Sequence, residues 1–166
     1  MINLNDLTPE IDKIKLVIYD FDGVMTNNKV YIDQNGNEMV QINRADGLGI
    51  AEIKKLGIKQ IIVSTEQNPV VSARAIKINI PCLQGIEDKK ETLIDYCLKN
   101  NIDLNNVAYI GNDINDKDAM EMAGLTLCPS DAHKSIKEIS DHILKAKGGN
   151  GVVRELLDLL IQQKGT

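Results

Sequence analysis

The sequence predicts an α/β domain built as a Rossmann-like, doubly wound parallel sheet, and three observations carry that expectation. Short β-branched runs alternate with amphipathic stretches along the chain. The runs are apolar almost throughout, as strands covered on both faces must be. Acidic and hydroxyl residues follow several of them directly, where the crevice of an open parallel sheet takes its ligand.

Taken in order, Leu16 to Tyr19 reads as the first strand. Lys29 to Gln41 then breaks the alternation: KVYID and EMVQ flank the turn-forming Gln34-Asn35-Gly36-Asn37, a hairpin signal that projects from the sheet. Gln60 to Val63 is the next strand, followed by a helix whose buried face is spaced Val71, Ala75, Ile78. Val107 to Ile110 and Leu125 to Leu127 complete the strands, separated by a helix around Ala119 and Met122. Val152, Leu156, Leu159 and Leu160 mark the inward stripe of a C-terminal helix. The 166 residues therefore make one domain, with residues 29–41 as its hairpin insert and 147–166 as a glycine-rich tail and last helix. No later segment is free to form a cap domain, so the hairpin is the one candidate cover for a site at the strand ends.

Composition narrows the partners. With 24 acidic against 19 basic residues and a net charge of −5, broad electrostatic attraction to nucleic acid or an anionic membrane is not expected. There is no Trp and a single Phe, so no stacking platform for single strands exists. Cys82, Cys97 and Cys128 are odd in number and widely spaced, which fits a reducing cytoplasm. The N-terminal MINLNDLTPEIDKIK lacks the apolar block of a signal peptide, and no run is long enough to span a bilayer.

The chemistry collects at the strand ends. The first strand delivers Asp20-Phe21-Asp22-Gly23, and two carboxylates so close at the end of a buried strand repel one another unless a cation joins them. A turn with Asp supplying local hydrogen bonds is the plainer alternative. A second oxygen-rich cluster, Gly111-Asn112-Asp113-Ile114-Asn115-Asp116, follows the Val107 strand. Oxygen ligands without His or Cys suit a hard ion, and a few carboxylates that leave room for water and phosphate suit Mg²⁺. The same cluster can also cap the helix that follows it. Ser64-Thr65-Glu66 ends the second long strand, placing a hydroxyl and backbone N–H groups where an anion would be held. Lys89 stands at a helix start, where a lysine opposes the helix dipole and a ligand would account for it. Arg74 and Lys77, three apart, share a helix face that could meet a carboxylate or phosphate, or simply face water.

In this order the motifs resemble the haloacid dehalogenase-like phosphohydrolases over almost the whole chain. VYIDQNGNE, NRADGLGI and the tail Lys147-Gly148-Gly149-Asn150-Gly151 with Arg154-Glu155 narrow the resemblance to the capless class of KDO 8-phosphate and KDN 9-phosphate phosphatases. The resemblance implies that Asp20 attacks phosphorus and that Asp22 protonates the leaving oxygen and then activates water. It implies that Ser64 and Lys89 hold the phosphoryl group. Mg²⁺ would sit on Asp20, the Asp22 carbonyl and Asp113. Gly23, Asn112 and Asp116 would support them, with Asp116 positioning Lys89 or a water on the metal. Asp46, Glu66, Arg74, Lys77, Gly148, Gly149 and Arg154 would meet the sugar acid. In that class a homotetramer replaces the cap, its hairpins forming a central barrel and each tail reaching a neighbour's site.

Departures bear on the substrate. Ala45 and Ser64-Thr65-Glu66 stand where eight-carbon members usually carry Arg and Thr-Gly-Arg, and Glu66 with Arg74 and Lys77 looks more like the nine-carbon branch. Asn112 stands where Asp is usual, a feature shared with the largely non-catalytic C-terminal domain of animal CMP-sialic acid synthetases. That domain supplies a rival reading, an oligomerisation partner of an acylneuraminate cytidylyltransferase. A receiver-type phosphoacceptor domain is the other rival, but its acceptor Asp ends a strand apart from the acidic pair.

Overall fold

The computed structural model describes residues 11–164. Most of the N-terminal stretch read above as lacking a leader lies outside them, as do the last two residues of the 147–166 segment.

Among the described residues, eight strands and six helices alternate as a doubly wound fold. β1 (Leu16–Tyr19), β4 (Lys59–Val63), β5 (Cys82–Leu83), β6 (Val107–Ile110), β7 (Leu125–Cys128) and β8 (His142–Ile143) form one sheet in the order β5-β4-β1-β6-β7-β8, every pairing parallel. The helices are α1 (Arg44–Lys55), α2 (Val70–Ile78), α3 (Lys89–Asn100), α4 (Lys117–Met120), α5 (Lys134–Ile139) and α6 (Val152–Lys164). Alternation along β1 splits the core into two layers. Val17 and Tyr19 pack with Ile50, Ile53, Leu156 and Leu160 from α1 and α6. Leu16 and Ile18 pack with Leu93, Cys97, Met120 and Ile136 from α3, α4 and α5.

Register places the site. Tyr19 stands opposite Ile62 on one side and Ile110 on the other. The residues that follow, Asp20, Ser64 and the loop opened by Gly111, therefore leave the sheet at one edge. β2 (Thr26–Ile32) and β3 (Glu38–Ile42) form a separate antiparallel ribbon, whose turn is tied by the Asp33 carboxylate accepting from the Asn35 and Asn37 N–H groups. Its outer residues are apolar and bare, with Tyr31 71% and Met39 64% exposed.

Three details differ from the sequence reading. The two-residue strands β5 and β8 carry no periodicity that a sequence could show. The helix expected around Ala119 and Met122 is a single turn that ends before Met122. Asp46 of α1, expected at the sugar acid, instead holds the start of the last helix, its Oδ1 accepting from Val153 N and Arg154 N. Among the described residues no helix is long and apolar enough to cross a membrane.

Candidate active site

Asp20 is 5% exposed and fixed on every side. Its N–H donates to the Ile110 carbonyl, and its Oδ1 accepts from Phe21 N at 2.7 Å. Lys89 Nζ lies 2.9 Å from the same Oδ1 and 2.7 Å from Asp116 Oδ1. Asp88 caps α3 by accepting from Glu91 N, which leaves Lys89 as the first helical residue with its side chain turned into the protein rather than into water. Asp116 is buried and saturated: besides Lys89 it accepts from the Tyr109 hydroxyl, Asn112 N and Asp113 N.

These charges do not balance by themselves. Burial first, then the neighbouring Asp116, push the Asp20 carboxyl up to about 8, against the downward pull of Lys89 and Phe21 N–H. Burial disfavours the charge on Lys89, yet Asp20 and Asp116 outweigh it and raise its pKa. Two carboxylates share one lysine, so a further cation is what would keep Asp20 ionised.

Oxygen atoms crowd together beside Asp20. One atom of the Asn112 amide lies 3.2 Å from Asp20 Oδ2 and 2.7 Å from the Asp22 carbonyl oxygen. Without a cation the NH₂ group must face these two acceptors. A divalent ion here would be held by oxygens of Asp20, the Asp22 carbonyl, Asn112 and Asp113, a hard oxygen set that fits Mg²⁺. Asp113, the ligand that the resemblance implies, lines the same cavity as Asp20; its Oδ1 accepts from Ile114 N at the start of the 3₁₀ turn Ile114–Asp116, and with Asp116 it makes a capping box. Among the described residues no three His, Cys, Asp or Glu side chains come together as a metal cluster.

Asp22, Ser64, Thr65, Asn28, Asn112, Asp113 and Asn115 join Asp20 around one polar cavity of about 190 Å³. Ser64 is buried and its Oγ accepts from Glu66 N at 3.2 Å, leaving the hydroxyl proton to point elsewhere. Burial raises the Asp22 carboxyl above its ordinary value, while the Thr26 hydroxyl, donating to Oδ1 at 3.1 Å, opposes the rise. The backbone turns away at Gly23, whose φ of 80° belongs to the left-handed region and whose missing side chain leaves room for the Asn112 amide.

The residues expected to meet the sugar acid do not line this cavity. Asp46 is buried and spent on the N-terminus of α6. Gly148 and Gly149 pack on the chain's own backbone: a side chain at Gly148 would overlap the Gly23 carbonyl, and Gly149 N donates to the Val24 carbonyl. Arg154 is exposed and faces Asp158 across one helical turn at 3.8 Å. Arg74 donates to the Asn43 carbonyl and, with Arg44 and Lys77, lines a separate groove of about 640 Å³ between α1 and α2. Glu66 turns Oε1 onto Gln67 N and Asn68 N, although its charge still reaches Asp22 and raises its pKa. Asn115 of the oxygen-rich cluster lines the cavity, whereas the sequence marked no role for Thr26, Asn28 or Tyr109. The hydroxyl three residues after Gly23 was the one signal available for Thr26.

Comparison with known proteins agrees with this geometry. The profile of the haloacid dehalogenase-like hydrolases matches residues 83–156. The 3-deoxy-D-manno-octulosonate 8-phosphate phosphatase KdsC of Escherichia coli K12 is 34% identical over 161 residues, 96% of this chain and 86% of the relative. A crystal structure of that phosphatase from Moraxella catarrhalis, in complex with magnesium, phosphate and KDO, is 30% identical with a TM-score of 0.93, over 97% of this chain and 93% of the other. A HAD-family hydrolase from Streptomyces avermitilis is 40% identical with a TM-score of 0.88, covering 90% and 86%. The chain accordingly belongs to the haloacid dehalogenase-like hydrolases, and is a phosphoric monoester hydrolase of that family.

Proposed function

We propose that this protein is a Mg²⁺-dependent phosphatase that hydrolyses a phosphorylated 2-keto-3-deoxy sugar acid, KDO 8-phosphate or a nine-carbon KDN or N-acylneuraminate 9-phosphate, through an aspartyl-phosphate on Asp20. The observation that carries this reading is the meeting of Asp20, Lys89, Ser64 and Asn112 around one small cavity. Asp20, the Asp22 carbonyl and Asn112 or Asp113 would hold the magnesium, which would supply positive charge to keep Asp20 ionised and to meet the phosphoryl oxygens.

The chain's own groups divide the remaining work. Asp20, whose carboxylate lines the cavity at the end of β1, is the nucleophile. Lys89, clamped by Asp116, neutralises the transferring group without needing to reorient. Ser64 Oγ donates to it. Asp22 has a raised pKa, which suits a group that gives a proton to the leaving oxygen and then takes one from water. Similarity to KDO 8-phosphate phosphatases favours the eight-carbon ester, whereas Glu66, Arg74 and Lys77 match the nine-carbon branch. The bare apolar hairpin, with Tyr31, Ile32 and Met39 exposed, is consistent with burial against further copies in a homotetramer.

The test is phosphate release from KDO 8-phosphate, KDN 9-phosphate and N-acetylneuraminate 9-phosphate with Mg²⁺ or with EDTA. Turnover with Mg²⁺ that EDTA abolishes is expected. An enzyme inert toward all three esters rejects the reading and favours a role in assembly alone.

A further inference from the structure

The backbone of Asn28 has φ 62°, one of three non-glycine residues with positive φ among those described. The other two are explained by their place: Asn79 and Asn101 are the left-handed C-caps of α2 and α3. Asn28 caps no helix. It sits where the β2–β3 ladder loses register between Thr26 and Val30, and its side chain lines the catalytic cavity. A ladder break and a left-handed residue beside an active site re-aim a side chain.

One hydroxyl fixes where that side chain stands. Thr26 Oγ1 donates to Asp22 Oδ1 at 3.1 Å and accepts from Gly23 N at 3.2 Å and from Asn28 N at 3.1 Å. All its hydrogen-bonding capacity is thereby used. The carboxylate that handles the leaving oxygen and the backbone of Asn28 hang on the same atom, so Asn28 stands beside the path of the departing group. The Asn28 amide itself makes no hydrogen bond within the described protein, while the neighbouring Asn27 is engaged with Gln41 and Lys29. The cavity, at about 190 Å³, is smaller than the roughly 300–1,000 Å³ that encloses a whole small ligand. A phosphoryl group fits inside, and the rest of the substrate must run out past the rim, where Asn28 stands.

We propose that Asn28 is a specificity residue: its amide, donor and acceptor together, reads the hydroxyls next to the phosphoester oxygen of a polyhydroxylated leaving group. The role rests on the phosphatase reading above and adds the residue that tells a sugar ester from a plain one. A neutral amide suits this task, since a carboxylate there would repel the phosphate and a lysine would bind it without regard to the alcohol.

The test compares the preferred sugar-acid phosphate with p-nitrophenyl phosphate, whose leaving group has no hydroxyl to read, in wild type and Asn28→Gly. Glycine tolerates φ 62°, so the turn and the bond from residue 28 N to Thr26 are kept. About a 10-fold fall in kcat/KM is expected for the sugar ester, with the aryl ester within about 2-fold of wild type, on the scale of one lost substrate hydrogen bond. Equal losses on both esters would show that Asn28 serves the turn, and no loss on either would show that it touches nothing; each outcome overturns the proposal. A wild type that hydrolyses neither ester overturns the phosphatase reading, and this one with it.

Discussion

Lys89 Nζ and Asp116 Oδ1 stand 2.7 Å apart with both side chains buried, although neither is needed there for packing. The pair joins α3 to the loop after β6, and Lys89 extends it to Asp20. A buried lysine held by two carboxylates is stable only while both remain. Lys89→Met is therefore expected to end turnover and to cost about 3–5 kcal/mol of stability near pH 8, the usual penalty for stranding a buried charge. The deficit should shrink on acidification. With the lysine gone the buried Asp20 carboxyl binds its proton more readily in the folded than in the unfolded chain, so stability is recovered at low pH and lost as pH rises through its raised pKa. Chemical denaturation at pH 5 and pH 8 measures both; an equal deficit at the two values would contradict the account.

The amide of Asn112 faces Asp20 Oδ2 and the Asp22 carbonyl, while Asp113, on the same cavity, turns Oδ1 onto Ile114 N. Asn112→Asp would add a unit charge to a divalent site and should tighten Mg²⁺ by about 10-fold or more, or about 1.4 kcal/mol, a small part of the Coulomb energy at that distance. Asp113→Asn should leave the affinity within about 2-fold, because that side chain is occupied with Ile114 N. Calorimetric titration of the apo-protein with Mg²⁺ reads both without reference to turnover. The reverse ranking would make Asp113 the stronger ligand.

The same two residues show how far a sequence carries. The sheet was legible because β1, β4, β6 and β7 are apolar runs buried on both faces, and the parallel register then brings Asp20, Ser64 and the Gly111 loop to one edge. What periodicity cannot say is which of two adjacent residues looks inward after a strand ends. Asn112 and Asp113 differ by one step and line one cavity, and the capping box that engages Asp113 exists only once the 3₁₀ turn has formed. Asp46 and Gly148 show a related limit. Their partners, α6 and Gly23, lie more than a hundred residues away, so the sequence shows a carboxylate and a glycine but not what they touch.

Gly148 is pressed against the turn that carries Asp22. A methyl group there would overlap the Gly23 carbonyl oxygen and come within 2.9 Å of the Thr26 carbonyl. Gly148→Ala should cost about 1–3 kcal/mol by overpacking and, by displacing Thr26 and Asp22, lower kcat about 10-fold or more. Gly57→Ala is the comparison: φ at Gly57 is 79° but nothing lies near its missing Cβ, so only backbone strain of about 1 kcal/mol is expected, with kcat unchanged. Thermal melts and initial rates on the two variants check this. Equal kcat in both would mean that the glycine tail does not govern the turn.

Asp46 accepts two N–H bonds at the start of α6 through Oδ1, yet its Oδ2 is buried without a hydrogen-bond partner. Burial raises its carboxyl from 3.8 to about 6, outweighing the N–H groups of Arg154 and Val153 and the charge of Arg74, which pull it down. A folded pKa above the unfolded one means that the folded chain holds a proton the unfolded chain has released. This group's contribution is therefore present below about pH 4 and lost as pH rises to about 6, amounting to at most about 3 kcal/mol for a shift of this size. Asp46→Asn keeps an acceptor for Val153 and Arg154 and cannot ionise. Relative to wild type it should gain stability between pH 4 and pH 7, less about 0.3–1 kcal/mol for the lost attraction between a carboxylate and the helix N-terminus. Urea denaturation across that range measures the difference, and a stability gap that stays constant with pH would show that Asp46 is ionised throughout.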